Sequence, residues 1–243
     1  MHIAKPGLDP VATLVNEVQL LQEKIPLAGL SLIELGCGRA EKTRTLAESG
    51  APRHILALEV DTIQHQRNLA ITDLPTVSFA HGGAEAIPAA DSSADLVLLF
   101  KSLHHVPVAQ QDQALAEIAR VLKPGGLAWI SEPVFAGDMN EVIRLFHDEQ
   151  QVREAAFAAI GRAVQGGRLQ LVEQLFFHTR SHFDSFAQFD QRMIQVTHTD
   201  HQLDDTLYRR VQEKFAAFCA ADGSVTFLNP QRVDLLQKPG KVA

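Results

Sequence analysis

The sequence predicts an α/β protein built on a mainly parallel sheet, and three observations predict it. Short apolar runs stand at Ser31–Leu35, His54–Val60, Thr76–Ala80, Asp95–Phe100 and Leu127–Ser131. Their centres are mostly Leu, Ile, Val or Ala without polar alternation, which suits strands covered on both faces. Helix-forming segments separate the runs, so strands and helices alternate as in a sheet with helices on both sides. The first run leads into Gly36-Cys37-Gly38. Glycines there stand at a strand's carboxyl end, where open α/β sheets bind their ligands.

Each element has a local cause. Asp9-Pro10 reads as a helix cap followed by a first-turn proline, and Val11, Leu14, Val15, Val18 and Leu21 continue at helical spacing to Pro26. A helix over Ala40–Ser49 stops at Gly50 with Pro52 beyond, a strong stop signal. Thr62–Ile71 follows the second run, and Ala109–Leu122 ends at Lys123-Pro124-Gly125-Gly126. After Pro133 the character changes: of thirteen Phe, only Phe79 and Phe100 precede position 135. Met139–Val164, Leu203–Ala221 and the shorter Ser185–Val196 read as helices. Leu171–Phe183 and Ser224–Leu236 read as late strands, the second interrupted by Asn229-Pro230. The expected organisation is one domain: a core over 1–135, a helical cap with a late strand over 136–223, and a terminal strand and tail over 224–243.

Composition narrows the function. A chain of 243 residues, 46% hydrophobic, can bury a sizeable core. A formal net charge of −7 argues against broad phosphate-backbone binding, which needs clustered Lys and Arg. Two distant cysteines, Cys37 and Cys219, make no disulfide framework or zinc spacing and point to a reducing, cytoplasmic setting. The stretch MHIAKPGLDP lacks a signal peptide's apolar core, and no apolar run approaches the roughly 20 residues of a membrane span.

The glycine stretch separates two cofactor classes. A dinucleotide fingerprint beginning at Gly36 requires Gly or Ala at position 41, where Glu41 stands and opposes a pyrophosphate. Glu34-Leu-Gly36-Cys-Gly38-Arg-Ala40 instead resembles the first motif of class I S-adenosylmethionine (SAM) dependent methyltransferases, especially the small-molecule branch containing the quinone-biosynthesis enzymes. Four further stretches match in order: HILALEVD ending at Asp61, the segment HGGAEAIPAADSSADLVLLF, Ser102–Val106 (SLHHV), and Ala114–Pro133. The resemblance covers roughly Leu30 to Pro133. It implies a Rossmann-like, seven-stranded sheet with one antiparallel strand, SAM as cofactor, and transfer of a methyl group to a small organic molecule.

The resemblance also implies roles. Asp61 receives the ribose hydroxyls, with Glu59 on the same strand face as a substitute. Asp61-x-x-Gln64 has capping-box form as well. Glu34 lies near the cofactor's ammonium, and Gly36 and Gly38 admit the ligand to bare backbone. Phe100 ends the fourth strand beside them. Gly83 stands where the family carries an adenine-binding Asp, leaving backbone at Gly83 and Ala84, and the neighbouring Glu85, for that task. His104 and His105 follow the fourth strand where the family lines its transfer site, so they are the candidate general bases, His105 foremost. Phe176, Phe177, Phe183, Phe186 and Tyr208 are the candidate lining of an apolar acceptor pocket. A second group, His178, His182, Asp184, His198, Asp200 and His201, offers ligand atoms on paper but no specific metal spacing, so no metal is expected. The alternatives are a methyltransferase acting on RNA or protein and a SAM-binding protein without turnover.

Overall fold

The protein was analysed as a computed structural model, which describes residues 1–196, 199 and 201–240. Seven strands form one sheet in the order β3-β2-β1-β4-β5-β7-β6. They are β1 Ser31–Leu35, β2 His54–Glu59, β3 Val77–His81, β4 Ala94–Phe100, β5 Leu122–Pro133, β6 Gln170–Phe183 and β7 Val225–Gln237. The first five pair in parallel, and β7 runs antiparallel between β5 and β6. The central strands are buried on both faces, as their unalternating apolar runs require: Leu96, Val97, Leu98 and Leu99 of β4 are fully buried. Helices α1 Glu17–Lys24, α2 Glu41–Glu48, α3 Thr62–Leu69, α4 Gln111–Val121, α5 Asp138–Ile143 and α6 Gln150–Gln165 join α7 Phe186–Phe189, which continues as a π-helical turn over Asp190–Ile194, and α8 Asp205–Ala216. Among the described residues, no helix is long and apolar enough to cross a membrane.

Four expectations about the elements are corrected, the first of them by long-range partners. The N-terminal helix begins at Glu17, not after Pro10. The Asp9 carboxylate accepts from the N–H groups of Val11 and Ala12 and closes one turn only. Leu14 then bridges the outer edge of β6 in parallel at His178, with Val15 N–H donating to the His178 carbonyl and His178 N–H to that of Thr13. A backbone with a sheet edge to pair with has no need to stay helical, and Asn16 starts the helix afresh by accepting from Val18 and Gln19. Farther back, His2 N–H donates to Gln174 and the Ile3 carbonyl accepts from Arg232. The single helix expected over Met139–Val164 is two, broken where Gln150 N–H is taken by the Asp148 carboxylate. The helix expected over Ser185–Val196 is one α-helical turn passing into the π turn.

The strand expected to break at Asn229-Pro230 is continuous. Pairing with β5 ends at Gln231, so the N–H that Pro230 lacks is missing from no β5 bond. The extension of β6 and β7 beyond β5 carries a third apolar cluster, in which Phe183 and Phe227 meet Val142 of α5, Phe189 of α7, and Val211 and Phe215 of α8.

Candidate active site

Two cavities adjoin at the carboxyl edge of the sheet. The first, of about 290 Å³, is lined by Glu34, Gly36, Gly38, Lys42, Phe100 and Lys101, among others. Its floor is shaped backbone. Gly36 takes φ +73°, and a Cβ there would stand 2.8 Å from the Cβ of Ser102. Gly38 takes φ +52° with open space where a side chain would be, so only glycine leaves this space to a ligand. Ala40, at the third glycine of the motif, also adopts the left-handed region at φ +58°, just before α2.

Acids sit around this floor. Glu34 is buried, and its carboxylate accepts from Thr43 Oγ1 at 2.7 Å. Burial pushes its pKa up to about 7, with the Thr43 bond and Lys42 opposing. Glu59 ends β2, and its carboxylate accepts three backbone N–H groups: Gly38 at 2.7 Å, Val60 at 2.8 Å and Asp61 at 2.9 Å. Asp61 caps α3 through Ile63 and Gln64 N–H. Of the expected cofactor residues, Glu34, Gly36, Gly38 and Phe100 thus share one cavity. Glu59 meets it through Gly38, whereas Asp61, Gly83, Ala84 and Glu85 lie outside its lining. A Cβ on Gly83 would stand 2.3–2.6 Å from the Glu85 carboxylate atoms, so Glu85 occupies the space a longer residue at 83 would fill.

The second cavity, of about 280 Å³, opens beyond β4, β5 and β7 and shares Lys101 with the first. Charge dominates its wall. His104 is buried, with Nδ1 hydrogen-bonded to Glu132 and Nε2 3.4 Å from Glu149 Oε1. Burial opposes its positive charge, but the two carboxylates outweigh burial and raise its pKa to about 9. Burial likewise works against the Glu149 anion, yet His104, His147 and Arg153 hold its pKa far below the usual carboxylate range. His147 Nε2 lies 2.9 Å from Oε1, and Arg153 Nη2 donates to Oε2 at 2.6 Å. His105 is 49% exposed on the side chain, with Nδ1 4.0 Å from Glu149 Oε1.

Two expectations fail here. His104 is no free base: Glu132 and Glu149 stand at its two ring nitrogens and favour its charged form. The five aromatic candidates do not line this cavity. Phe177 and Phe183 are buried in the core, and Phe186 packs on Phe189 and Tyr208. The apolar wall comes instead from Met139, Ile143 and Phe146, because the aromatic faces of β6 and β7 turn toward α7 and α8. The sequence reading missed Glu149 and Arg153 altogether; their spacing of four on a helix was the available signal.

Among the described residues, the second histidine group is not assembled. His178 bonds Thr13 Oγ1, His182 pairs with Asp184 at the surface, and His201 packs on His147. His198 and Asp200 lie outside the described residues. Among the described residues, His104, His105 and Glu149 place ligand atoms within 4.8 Å of one another, a spacing three ligands of one divalent ion could take. In this structure Glu149 already holds Arg153 and His147 there.

Residues 33–130 match the family described as a methyltransferase domain. A probable S-adenosylmethionine-dependent methyltransferase of Mycolicibacterium smegmatis is 30% identical over 128 residues, covering 51% of this chain and 47% of that protein. A dimethylglycine N-methyltransferase of Parasynechococcus marenigrum is 29% identical over 152 residues, 59% of this chain and 53% of that protein. The chain spans about half the length of these curated relatives. In fold, a putative methyltransferase from Bacillus halodurans superposes with TM-score 0.63 at 16% identity, covering 92% of this chain and 99% of that one. The matched segment is similar to SAM-dependent methyltransferases, whose cofactor is SAM, and the fold is like theirs.

Proposed function

We propose that this chain is a SAM-dependent methyltransferase that passes the methyl group to a small organic molecule held in the second cavity. One observation carries the reading: a glycine-floored cavity at the ends of β1 and β4 adjoins a second cavity across the shared Lys101. A donor and an acceptor need this arrangement, because transfer is an in-line displacement that depends on alignment and exclusion of water.

The first cavity's donor set suits SAM. Glu34 offers a buried carboxylate to the ammonium, and Gly36 and Gly38 admit the ligand to backbone. Glu59, bonded to Gly38 of the cavity floor, takes the ribose hydroxyls in place of Asp61, which caps α3 outside the lining. Glu85, folded over Gly83, supplies the carboxylate missing from position 83 for the adenine amino group, with Ala84 backbone beside it. Phe100 packs at the cavity wall. Bound there, SAM supplies an electrophilic methyl group on a sulfonium; the acceptor's electron pair forms the new bond, and the sulfur keeps the pair of the broken one.

On the acceptor side, α5 and the π turn after α7 form a helical cap, since Met139, Ile143, Arg192 and Met193 line the cavity. His105, half-exposed at its wall, takes the acceptor's proton, while His104 and Glu149 fix the floor behind it. A relative named for dimethylglycine supports a small acceptor. The two free cysteines support a reducing, cytoplasmic setting. The test is direct. SAM and S-adenosylhomocysteine should raise the melting temperature by mass action while NAD does not. Absence of a shift at millimolar ligand, with calorimetry silent too, sinks the reading.

A further inference from the structure

Lys101 differs from the other charged side chains along this edge. It follows β4 directly and takes φ +61°, a left-handed region that is unfavourable for a residue with a Cβ. Its half-buried side chain reaches the walls of both cavities. Among the described residues its ammonium has no hydrogen-bond or ion-pair partner. Burial, with Lys42 nearby, depresses its pKa below the ordinary lysine value. A strained, unpaired, half-buried cation is unfavourable unless a ligand completes it.

Glu17 and Glu132 act on Lys101 from the protein side, but the lining of the second cavity is positive. Arg153 and Arg192 also line the second cavity, against one lining carboxylate, Glu149. Both Glu149 oxygens are committed to Arg153, His147 and His104. Arg192 donates to the His182 carbonyl, a neutral partner. A cavity with surplus positive charge inside a chain of net charge −7 will concentrate anions. Met139, Ile143 and Phe146 leave the opposite wall apolar.

We infer that the methyl acceptor is a small organic anion, its charged oxygen held by Lys101 where the two cavities meet and its apolar part lying against Met139, Ile143 and Phe146. This rests on the methyltransferase reading above. A carboxylate or comparable oxyanion at Lys101 supplies the charge partner that the fold withholds, and it orients the rest of the molecule toward the first cavity. Because Lys101 also lines that cavity, the competing assignment is a contact with the cofactor's own carboxylate.

The experiment separates these. A metabolite extract is split by ion exchange at pH 8 into anionic, neutral and cationic pools, and each is offered to the full chain with methyl-labelled SAM. Transfer is expected from the anionic pool. Lys101→Gln should reduce it at least tenfold at low acceptor concentration and Lys101→Arg should keep part of it. Calorimetric affinity for S-adenosylhomocysteine should stay within twofold in both. Lys101→Gln removes an unpaired half-buried charge and Lys101→Arg keeps it, so neither melting temperature should fall and both variants remain folded. Transfer from the neutral or cationic pool, or full activity in Lys101→Gln, overturns the inference. So does a loss of S-adenosylhomocysteine affinity matching the loss of transfer, which assigns Lys101 to the cofactor. No transfer from any pool by a chain that binds S-adenosylhomocysteine removes the methyltransferase reading, and this inference with it.

Discussion

The cavity floored by Gly36 and Gly38 and the cavity around Glu149 share one lysine but are made of different materials. The first comes largely from one continuous stretch, residues 34–42, and its form is a set of backbone angles at Gly36, Gly38 and Ala40. The second draws on residues from 101 to 231, and its form is a balance of buried charges: His104 between Glu132 and Glu149, with Arg153 and His147 outside them. A backbone-built site depends on where a side chain is absent. A charge-built site depends on every partner being present.

The largest effect should come from upsetting that balance. Glu132→Gln leaves the His104 imidazolium without its nearest counter-ion in a buried site, and should cost about 3–5 kcal/mol of stability by urea denaturation. S-adenosylhomocysteine affinity, measured on the protein that remains folded, should be unchanged. If affinity falls while stability holds, the two cavities are not separable in the way described. Next is the buried acid of the first cavity. Glu34 prefers its neutral form in the folded state, its pKa rising from 4.5 to about 7. The folded state therefore binds more protons than the unfolded one between these values. Its stabilisation is complete below pH 4.5 and is lost as pH rises through about 7, about 3 kcal/mol in all. Urea midpoints from pH 4.5 to 8 should show that slope, and Glu34→Gln should flatten it. An unchanged slope in the mutant clears Glu34 of responsibility.

The smaller effects divide the two acids after β2. Glu59→Gln should weaken S-adenosylhomocysteine binding by about 1.5–3 kcal/mol, the range for a lost charged hydrogen-bond partner. Asp61→Ala should cost about 1 kcal/mol of fold stability through the α3 cap and leave affinity alone. Calorimetry and denaturation on both mutants decide it; reversed outcomes restore the ribose role to Asp61.

The same contrast explains what could be read in advance. The β1–β5 runs, their intervening helices and the glycine floor are written in neighbouring residues: apolar content, caps, Gly and Pro stops. They need no distant partner to be recognised. The start of α1 was misread because its competitor, the β6 edge at His178, is 164 residues away from Leu14. The break before α6 hides within a run that is helix-forming by propensity. His104 looked like a base because nothing in SLHHV shows that Glu132 and Glu149 will enclose it. The late aromatic residues read as a pocket lining, because composition does not tell which side of a hairpin faces a cavity. Glu149 and Arg153 acquire meaning only when the ends of β4, β5 and α5 converge on α6, which is information held in the fold as a whole.

The strap formed by residues 2–15 has a consequence in time. Its anchors are Gln174, His178 and Arg232, so its contacts close loops of up to 229 residues. Such closures come late in folding, after the local β–α units have formed. During synthesis this segment emerges well before β6 and β7 exist, and must wait unpaired while the central strands assemble. The edge of β6 is left open for the same interval, exposed to pairing with another chain until the strap arrives. Refolding yield at high protein concentration should therefore be limited by this final docking step, although the strap touches neither cavity floor.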